Sequence, residues 1–285
     1  MMSGQLATML ERKYSTLRSI ITDLESVVIG FSGGVDSTLL LKVAADMLRD
    51  GALAVIGQSE TYPTSEYEEA LRLAEQIGVK VHVVRTEETD VLKFRENPAN
   101  RCYYCKTELF GKLSVIAREL GFRWIADGTN ADDVSDYRPG MKALDEKGVR
   151  SPLLEAGLSK QEIRELSHYL ELPTWDKPSF ACLSSRFPYG LGITKENLMK
   201  IDQAETLLRE LGFRSFRVRH HDEKTARIEV GIEEIKLLME DGLREKIVSR
   251  LKRLGFTYVT LDLEGYRTGS MNEVLTIEVK KQYSD

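Results

Sequence analysis

The sequence predicts an α/β protein: a doubly wound parallel sheet followed by a smaller C-terminal α+β domain. Three observations carry this. Apolar β-type runs alternate with helix-type runs over the first half of the chain. A glycine-rich turn, Ser32-Gly33-Gly34-Val35-Asp36-Ser37, joins the first of those runs to the helix that follows it. From Thr194 onward the texture changes to a helix and a hairpin pattern. Strand–helix alternation places helices on both faces of a parallel sheet.

The elements follow in order. Residues 5–24 read as an amphipathic helix, and 27–31 as a buried strand entering the glycine turn. A helix over 38–48 leads to a strand at 53–56. A capping box at Ser65 and Glu68 opens the helix at 66–77. Residues 80–85 form a third strand, 106–120 a helix stopped by Gly121, and 124–127 a fourth strand. Ser159 and Glu162 make a second capping box for a helix to Leu170. The first domain thus spans 1–178. Residues 179–193, rich in small residues and carrying Cys182, form a connecting loop of a length that is usually functional. The small domain, 194–285, holds a helix to Leu211, a hairpin at 216–219 and 226–230, and a strand at 258–263. Residues 280–285 are expected to fray.

A chain of 285 residues suffices for one large domain or two of ordinary size. Its formal net charge of −5 supplies no global basic field, so no nucleic-acid partner is expected. No apolar run approaches membrane-spanning length, and Met1-Met2-Ser3-Gly4-Gln5 lacks a signal peptide's charged and apolar regions. A cytoplasmic protein without a membrane partner follows. In that compartment three cysteines are metal ligands or reactive thiols rather than disulfides.

The glycine turn is a place for an anion. Glycines let backbone N–H groups converge, and the helix start adds partial positive charge. Ser32 and Ser37 add hydroxyls. A Walker A loop needs Gly-Lys-Ser/Thr, and no lysine follows here. Ligands of doubly wound sheets bind beyond the carboxyl ends of the strands. Gly57-Gln58-Ser59 and Gly128-Thr129-Asn130 fall at that same edge.

Cys102-Tyr103-Tyr104-Cys105 stands at a helix entrance, and Cys182 lies in the connecting loop. A redox pair, half of a zinc site and three buried apolar thiols are all readings of this pattern. No histidine has ligand spacing to a cysteine. Three thiolates also suit a 4Fe–4S cluster with one iron left open.

These motifs together resemble the ATP-dependent sulfur transferases of the LarE type, within the PP-loop ATP pyrophosphatase superfamily (adenine nucleotide alpha hydrolase-like). The resemblance rests on Ser32 to Ser37, Cys102-Tyr-Tyr-Cys-Lys106, Asp127 to Asp132, Tyr137-Arg138-Pro-Gly140, Arg150 to Leu153, and Lys177 to Arg186. It implies ATP cleavage to AMP and pyrophosphate with Mg²⁺. The implied substrate is pyridinium-3,5-biscarboxylic acid mononucleotide, whose carboxylate oxygens are replaced by sulfur for a nickel-pincer nucleotide cofactor used by lactate racemase. It implies either a loop cysteine that gives up its own sulfur, matching Cys182, or a 4Fe–4S cluster on Cys102, Cys105 and Cys182. The three cysteines fit the cluster-bearing pattern, with a sulfide or cysteine-desulfurase donor behind it. Trimers or hexamers are expected by the same resemblance.

The resemblance assigns Ser32, Gly33, Gly34, Val35, Asp36 and Ser37 to the pyrophosphate end of ATP. Gly57, Gln58, Ser59, Gly128, Thr129 and Asn130 go to adenosine or ribose. Asp36 either helps hold Mg²⁺ or caps its helix. Lys106, Arg138 and Arg186 are candidates for the substrate's anionic groups, or else solvated surface cations. Arg217, Arg219, His220 and Arg227, with Glu205 and Glu229 near them, complete a pocket or form one exposed hairpin face. The rival activities are a tRNA thiolase and an amide-forming synthetase of the same superfamily. The first usually brings basic or zinc-ribbon modules absent from this acidic chain, and the second needs no such cysteines.

Overall fold

A computed structural model describes residues 8–135, 138–178 and 181–282. Tyr137, Ser179, Phe180, the expected start of the first helix and residues 283–285 lie outside them. Helix α1 (Thr8–Leu24) leads to strand β1 (Val27–Gly30), helix α2 (Val35–Leu48), strand β2 (Ala52–Gln58), helix α3 (Thr64–Ile77) and strand β3 (Lys80–Arg85). A short α4 (Leu92–Arg95) precedes the long α5 (Arg101–Leu120) and β4 (Trp124–Ala126). Three further helices follow: α6 (Met141–Glu146), α7 (Pro152–Glu155) and α8 (Lys160–Tyr169).

All pairings in the first sheet are parallel, in the order β3-β2-β1-β4. The apolar run of β1 is fully buried because helices cover both faces. On one face Leu17, Ile21, Leu39, Leu40, Leu166 and Ile163 pack on Val27 and Ile29. On the other, Phe110, Leu113 and Ile116 of α5 pack on Val28, Leu53 and Val55. The chain leaves β1 in one direction and returns for β4 on its other side. The crevice between their carboxyl ends is therefore the topological switch point where ligands sit.

The small domain is built from α9 (Lys195–Glu210), β5 (Phe216–His220), β6 (Thr225–Val230), α10 (Ile235–Leu238), α11 (Asp241–Arg253), β7 (Tyr258–Leu261) and α12 (Ile277–Gln282). Strands β5 and β6 form the expected antiparallel hairpin, and β7 joins β6 in parallel. Its core includes Leu183, Phe187 and Ile193 from the connecting loop and Phe94 from α4. The loop is thus part of this core, and it holds a 3-10 turn over Leu183–Arg186.

Three expectations need correction. Helix α3 starts at Thr64, so the Ser65–Glu68 capping box does not form, and Ser65 Oγ is buried without a partner. Helix α5 starts at Arg101, five residues earlier than expected, so both of its cysteines are helical. The backbone of residues 280–282 continues α12 rather than fraying. The Ser159–Glu162 capping box is present as expected.

Candidate active site

Beyond β1 the chain turns through Phe31 to Gly34 and enters α2 at Val35. Gly33 has φ +62°, and a Cβ there would lie 3.0 Å from the Ala70 Cβ on α3. Gly34 occupies the N-cap position without a side-chain bond, which leaves the first N–H groups of α2 available to an anion. Ser32 Oγ and Ser37 Oγ lie 3.1 Å apart beside them. Asp36 makes no capping bond. Its carboxylate accepts from Lys160 Nζ at 2.5 Å and from Asn130 Nδ2 at 3.3 Å.

The β4 end meets this loop directly. A Cβ on Gly128 would lie 3.0 Å from the Ser37 backbone nitrogen, so any larger residue would push the two turns apart. Asp127, almost fully buried, accepts from the Thr129 hydroxyl at 2.6 Å and the Ser151 hydroxyl at 2.8 Å. Lys106 Nζ reaches the same carboxylate at 3.5 Å. Asn130 accepts from Asp132 N–H through Oδ1, and Asp133 pairs with Arg138 at 2.6 Å.

At the β2 end, Gly57 packs closely on α5: a Cβ would come within 2.9 Å of Leu109 Cδ1, so the leucine side chain would have to shift. Gln58 and Ser59, with Tyr62, Arg85 and Asp202, line a cavity of about 330 Å³ between this sheet edge and α9. Ser59 Oγ and Thr61 Oγ1 both donate to the buried Glu88, at 2.6 and 2.5 Å. Tyr62 Oη donates to Ser32 O at 2.8 Å, tying this end to the glycine loop.

The three cysteines are free thiols that α5 and the connecting loop bring within mutual electrostatic reach. Burial raises the Cys105 thiol well above its ordinary value, and Glu88 and the other two cysteines push it further. Cys102 is exposed as a residue, yet desolvation of its thiol raises its pKa, against the pull of Arg101, Lys106 and Arg138. Cys105 and Cys182 are half-buried, and the same three cations lie within electrostatic reach of Cys102. Among the described residues no three His, Cys, Asp or Glu converge on a single ion. A 4Fe–4S cluster asks for a different arrangement, one thiolate on each of three irons.

Arg186 is no solvated cation. It is 1% exposed, donates to Glu205 at 2.8 and 2.9 Å, and donates to the carbonyls of Ala181 and Cys182 at 2.6 and 3.0 Å. It therefore acts on the cysteine loop from within. The hairpin residues are not an exposed face either. Arg219 and Glu229 are buried and paired at 2.6 Å, and Arg227 shares that carboxylate at 3.1 Å. Arg217 lies over the Tyr266 ring at 4.7 Å. His220 is stacked on Phe187 with ring centres 5.0 Å apart, and burial lowers its pKa.

Sequence reasoning missed several residues here. Lys160 reaches Asp36 across 124 positions, and its only local signal is the capping box just before it. Lys177, inside a quoted motif but given no role, donates to Gly33 O at 3.2 Å and pairs with Glu66 and Glu69. Glu88, Asn97 and Arg101 had no sequence signal beyond their polarity.

Residues 10–103 match the NAD synthase family model. An uncharacterised protein of Synechocystis sp. is 46% identical over 94% of this chain and all of its own length. A GMP synthase of Chlamydia caviae is 26% identical over 66% of this chain and 39% of its own length. The pyridinium-3,5-bisthiocarboxylic acid mononucleotide synthase of Lactiplantibacillus plantarum is 40% identical over 95% of this chain and 97% of its own. A similarity of that depth, running through nearly the whole of both chains, places this chain in the family of the pyridinium-3,5-bisthiocarboxylic acid mononucleotide synthase.

Proposed function

We propose that the protein is an ATP-dependent sulfur transferase that adenylates the carboxylates of pyridinium-3,5-biscarboxylic acid mononucleotide and replaces their oxygen by sulfur. The observation that carries this is the position of Lys106. Its ammonium is 3.5 Å from Asp127, whose turn abuts the glycine loop, and it lies within electrostatic reach of Cys102 and Cys105. One cation thus stands between a nucleotide cradle and a group of thiols.

The chemistry needs both halves. A carboxylate exchanges oxygen for sulfur only when one oxygen becomes a good leaving group. The substrate carboxylate attacks the α-phosphorus of ATP, the α–β bond breaks, and pyrophosphate leaves. The N–H groups at the start of α2 and the Ser32 and Ser37 hydroxyls hold the departing pyrophosphate. Mg²⁺ arrives with ATP and needs only one or two protein carboxylates, a role that Asp36 fits. Sulfur then attacks the acyl carbon, and AMP departs with the bonding electrons. Lys106 and Arg138 face the substrate's anionic groups, while Arg186 holds the Cys182 segment in place. Cys102, Cys105 and Cys182 would hold a 4Fe–4S cluster, which when bound supplies sulfide on its fourth iron. We expect the substrate to be a small anion, the protein to work in the cytoplasm, and the assembly to be a homo-oligomer.

The test is an anaerobic assay with ATP, Mg²⁺ and the dicarboxylate, scored for pyrophosphate and for product mass. Absence of both sinks the enzyme reading. Cys102→Ala separates the two sulfur sources. Under the cluster reading it abolishes multiple turnover, whereas sacrifice of Cys182 gives one turnover with or without Cys102.

A further inference from the structure

Asn97 lies between α4 and α5 in the left-handed region, φ 53°, and is fully shielded from solvent. Asparagine tolerates that backbone better than most residues. Its side chain is fully engaged. Nδ2 donates to Pro188 O at 2.7 Å and Leu191 O at 3.1 Å, with Phe187 O at 3.4 Å. Oδ1 accepts from Arg101 Nη1 at 2.8 Å. The Asn97 carbonyl accepts from Gly190 N–H at 3.0 Å. One residue therefore grips the chain that follows Cys182 and the residue that precedes Cys102.

Arg101 strengthens the same joint. It is 5% exposed, and its guanidinium lies 4.8 Å from the centre of the Tyr189 ring, in the loop that Asn97 holds. Tyr189 in turn donates to Asn272 Oδ1 at 2.8 Å, which fixes the ring from the small domain. Arg95 O accepts from Ile193 N–H at 2.8 Å and closes the far end of the loop. Ordinary loop packing does not require a buried side chain whose donors and acceptor all bridge the same two segments. Those segments are the two that carry the cysteines.

We infer that Asn97 and Arg101 are positioning residues that clamp the connecting loop onto the start of α5 and so set the spacing between Cys182 and the Cys102–Cys105 pair. The consequence for sulfur transfer rests on the function proposed above, but the clamp itself does not. Both polar atoms of the Asn97 side chain are bonded within the protein, while Arg101 Nε is buried without a partner. The bonds that set the spacing exist before any ligand arrives. This is the preorganisation that a site spread over two segments requires.

The test uses the full chain, kept reduced, and a short bis-maleimide whose bridges are read by mass spectrometry. Cys102→Ser leaves Cys105 and Cys182 to be bridged. Adding Asn97→Gly removes the side chain while leaving the backbone relaxed at positive φ. It is expected to slow that bridge at least tenfold. Asn97→Asp keeps the acceptor for Arg101 but cannot donate to the loop, and the same loss is expected. In a Cys182→Ser chain, Cys102 and Cys105 share the first turns of α5, and their bridge is expected to be unchanged by Asn97→Gly. A bridge that fails to form in the Cys102→Ser parent, a rate unchanged by Asn97→Gly, or an equal fall in both pairs overturns the inference. No ATP, substrate or iron enters this measurement, so failure of the sulfur-transfer reading would leave its outcome untouched.

Discussion

Arg186 grips both carboxylate oxygens of Glu205, at 2.8 and 2.9 Å, with neither side chain in meaningful contact with water. The pair joins α9 to the cysteine loop, because the same guanidinium also holds the carbonyls of Ala181 and Cys182. Removing one partner of a buried ion pair leaves an uncompensated charge, which costs about 3–5 kcal/mol. We therefore expect Glu205→Ala to lower unfolding stability by about that amount in urea titrations. Replacing both residues by apolar ones of similar volume is expected to cost less, since desolvation of the pair offsets much of its attraction. If the double replacement is as damaging as the single one, the loop bonds of Arg186 outweigh its pairing with Glu205.

The same carboxylate makes stability depend on acidity. Burial alone raises the pKa of Glu205, but the Arg186 cation and its hydrogen bonds outweigh that and hold it below the ordinary carboxylate range. A depressed folded-state pKa means that the unfolded chain binds the proton more readily. The contribution is therefore present above the unfolded value, about 4.3, and is lost as pH falls through the folded value. Stability of the parent is expected to drop steeply on acidification below about pH 4. Glu205→Gln should show a shallower slope of unfolding free energy against pH in that window. A slope identical to the parent's would assign the acid limb to other carboxylates.

The parallel sheet, the hairpin and the phosphate-type turn were legible because each leaves a local mark. The buried run at Val27 to Ile29, the glycines at 33 and 34, and the alternation along β5 and β6 are patterns within ten residues. The start of α5 was not legible. Arg101, Cys102 and Cys105 look like a loop by composition, yet they form the first turns of α5, with Arg101 bonded to Asn97 and lying over the Tyr189 ring, partners that no local pattern announces. Residues that meet across the fold left no trace either. Asp36 read as a Mg²⁺ ligand or a helix cap with no sign of Lys160, and Arg219 and Glu229 read as part of a pocket or one exposed hairpin face, with no sign that they pair in the interior.

The glycine loop makes its own prediction. Gly33 combines a φ of +62° with Ala70 atoms 3.0 and 3.1 Å from where a Cβ would stand. A non-glycine residue held in that region costs about 1–3 kcal/mol before any clash. Gly33→Ala is expected to lower the melting temperature and to abolish pyrophosphate release together, because relief of the clash moves the loop away from α3. Gly78→Ala serves as the comparison. It also has positive φ, but a Cβ there meets nothing within 4 Å, so it should cost stability and spare the reaction.

Lys177 offers the sharpest test of how the nucleotide site works. Its ammonium is 3.2 Å from Gly33 O and bonded to Glu66 and Glu69 at 2.8 and 2.9 Å, with only 13% of its side chain exposed. It fixes the glycine loop against α3, its three N–H groups engaged by Gly33 O, Glu66 and Glu69; on the function proposed above, that loop holds the departing pyrophosphate. Lys177→Met keeps much of the side-chain bulk and removes the charge. A group displaced by about 1 Å from its working position can lower turnover about 10²-fold. We expect a fall of that size in pyrophosphate formation, with a much smaller change in the binding of AMP, which lacks the β- and γ-phosphates. An equal loss of AMP and ATP binding would instead mean that Lys177 supports the whole site rather than the glycine loop in particular.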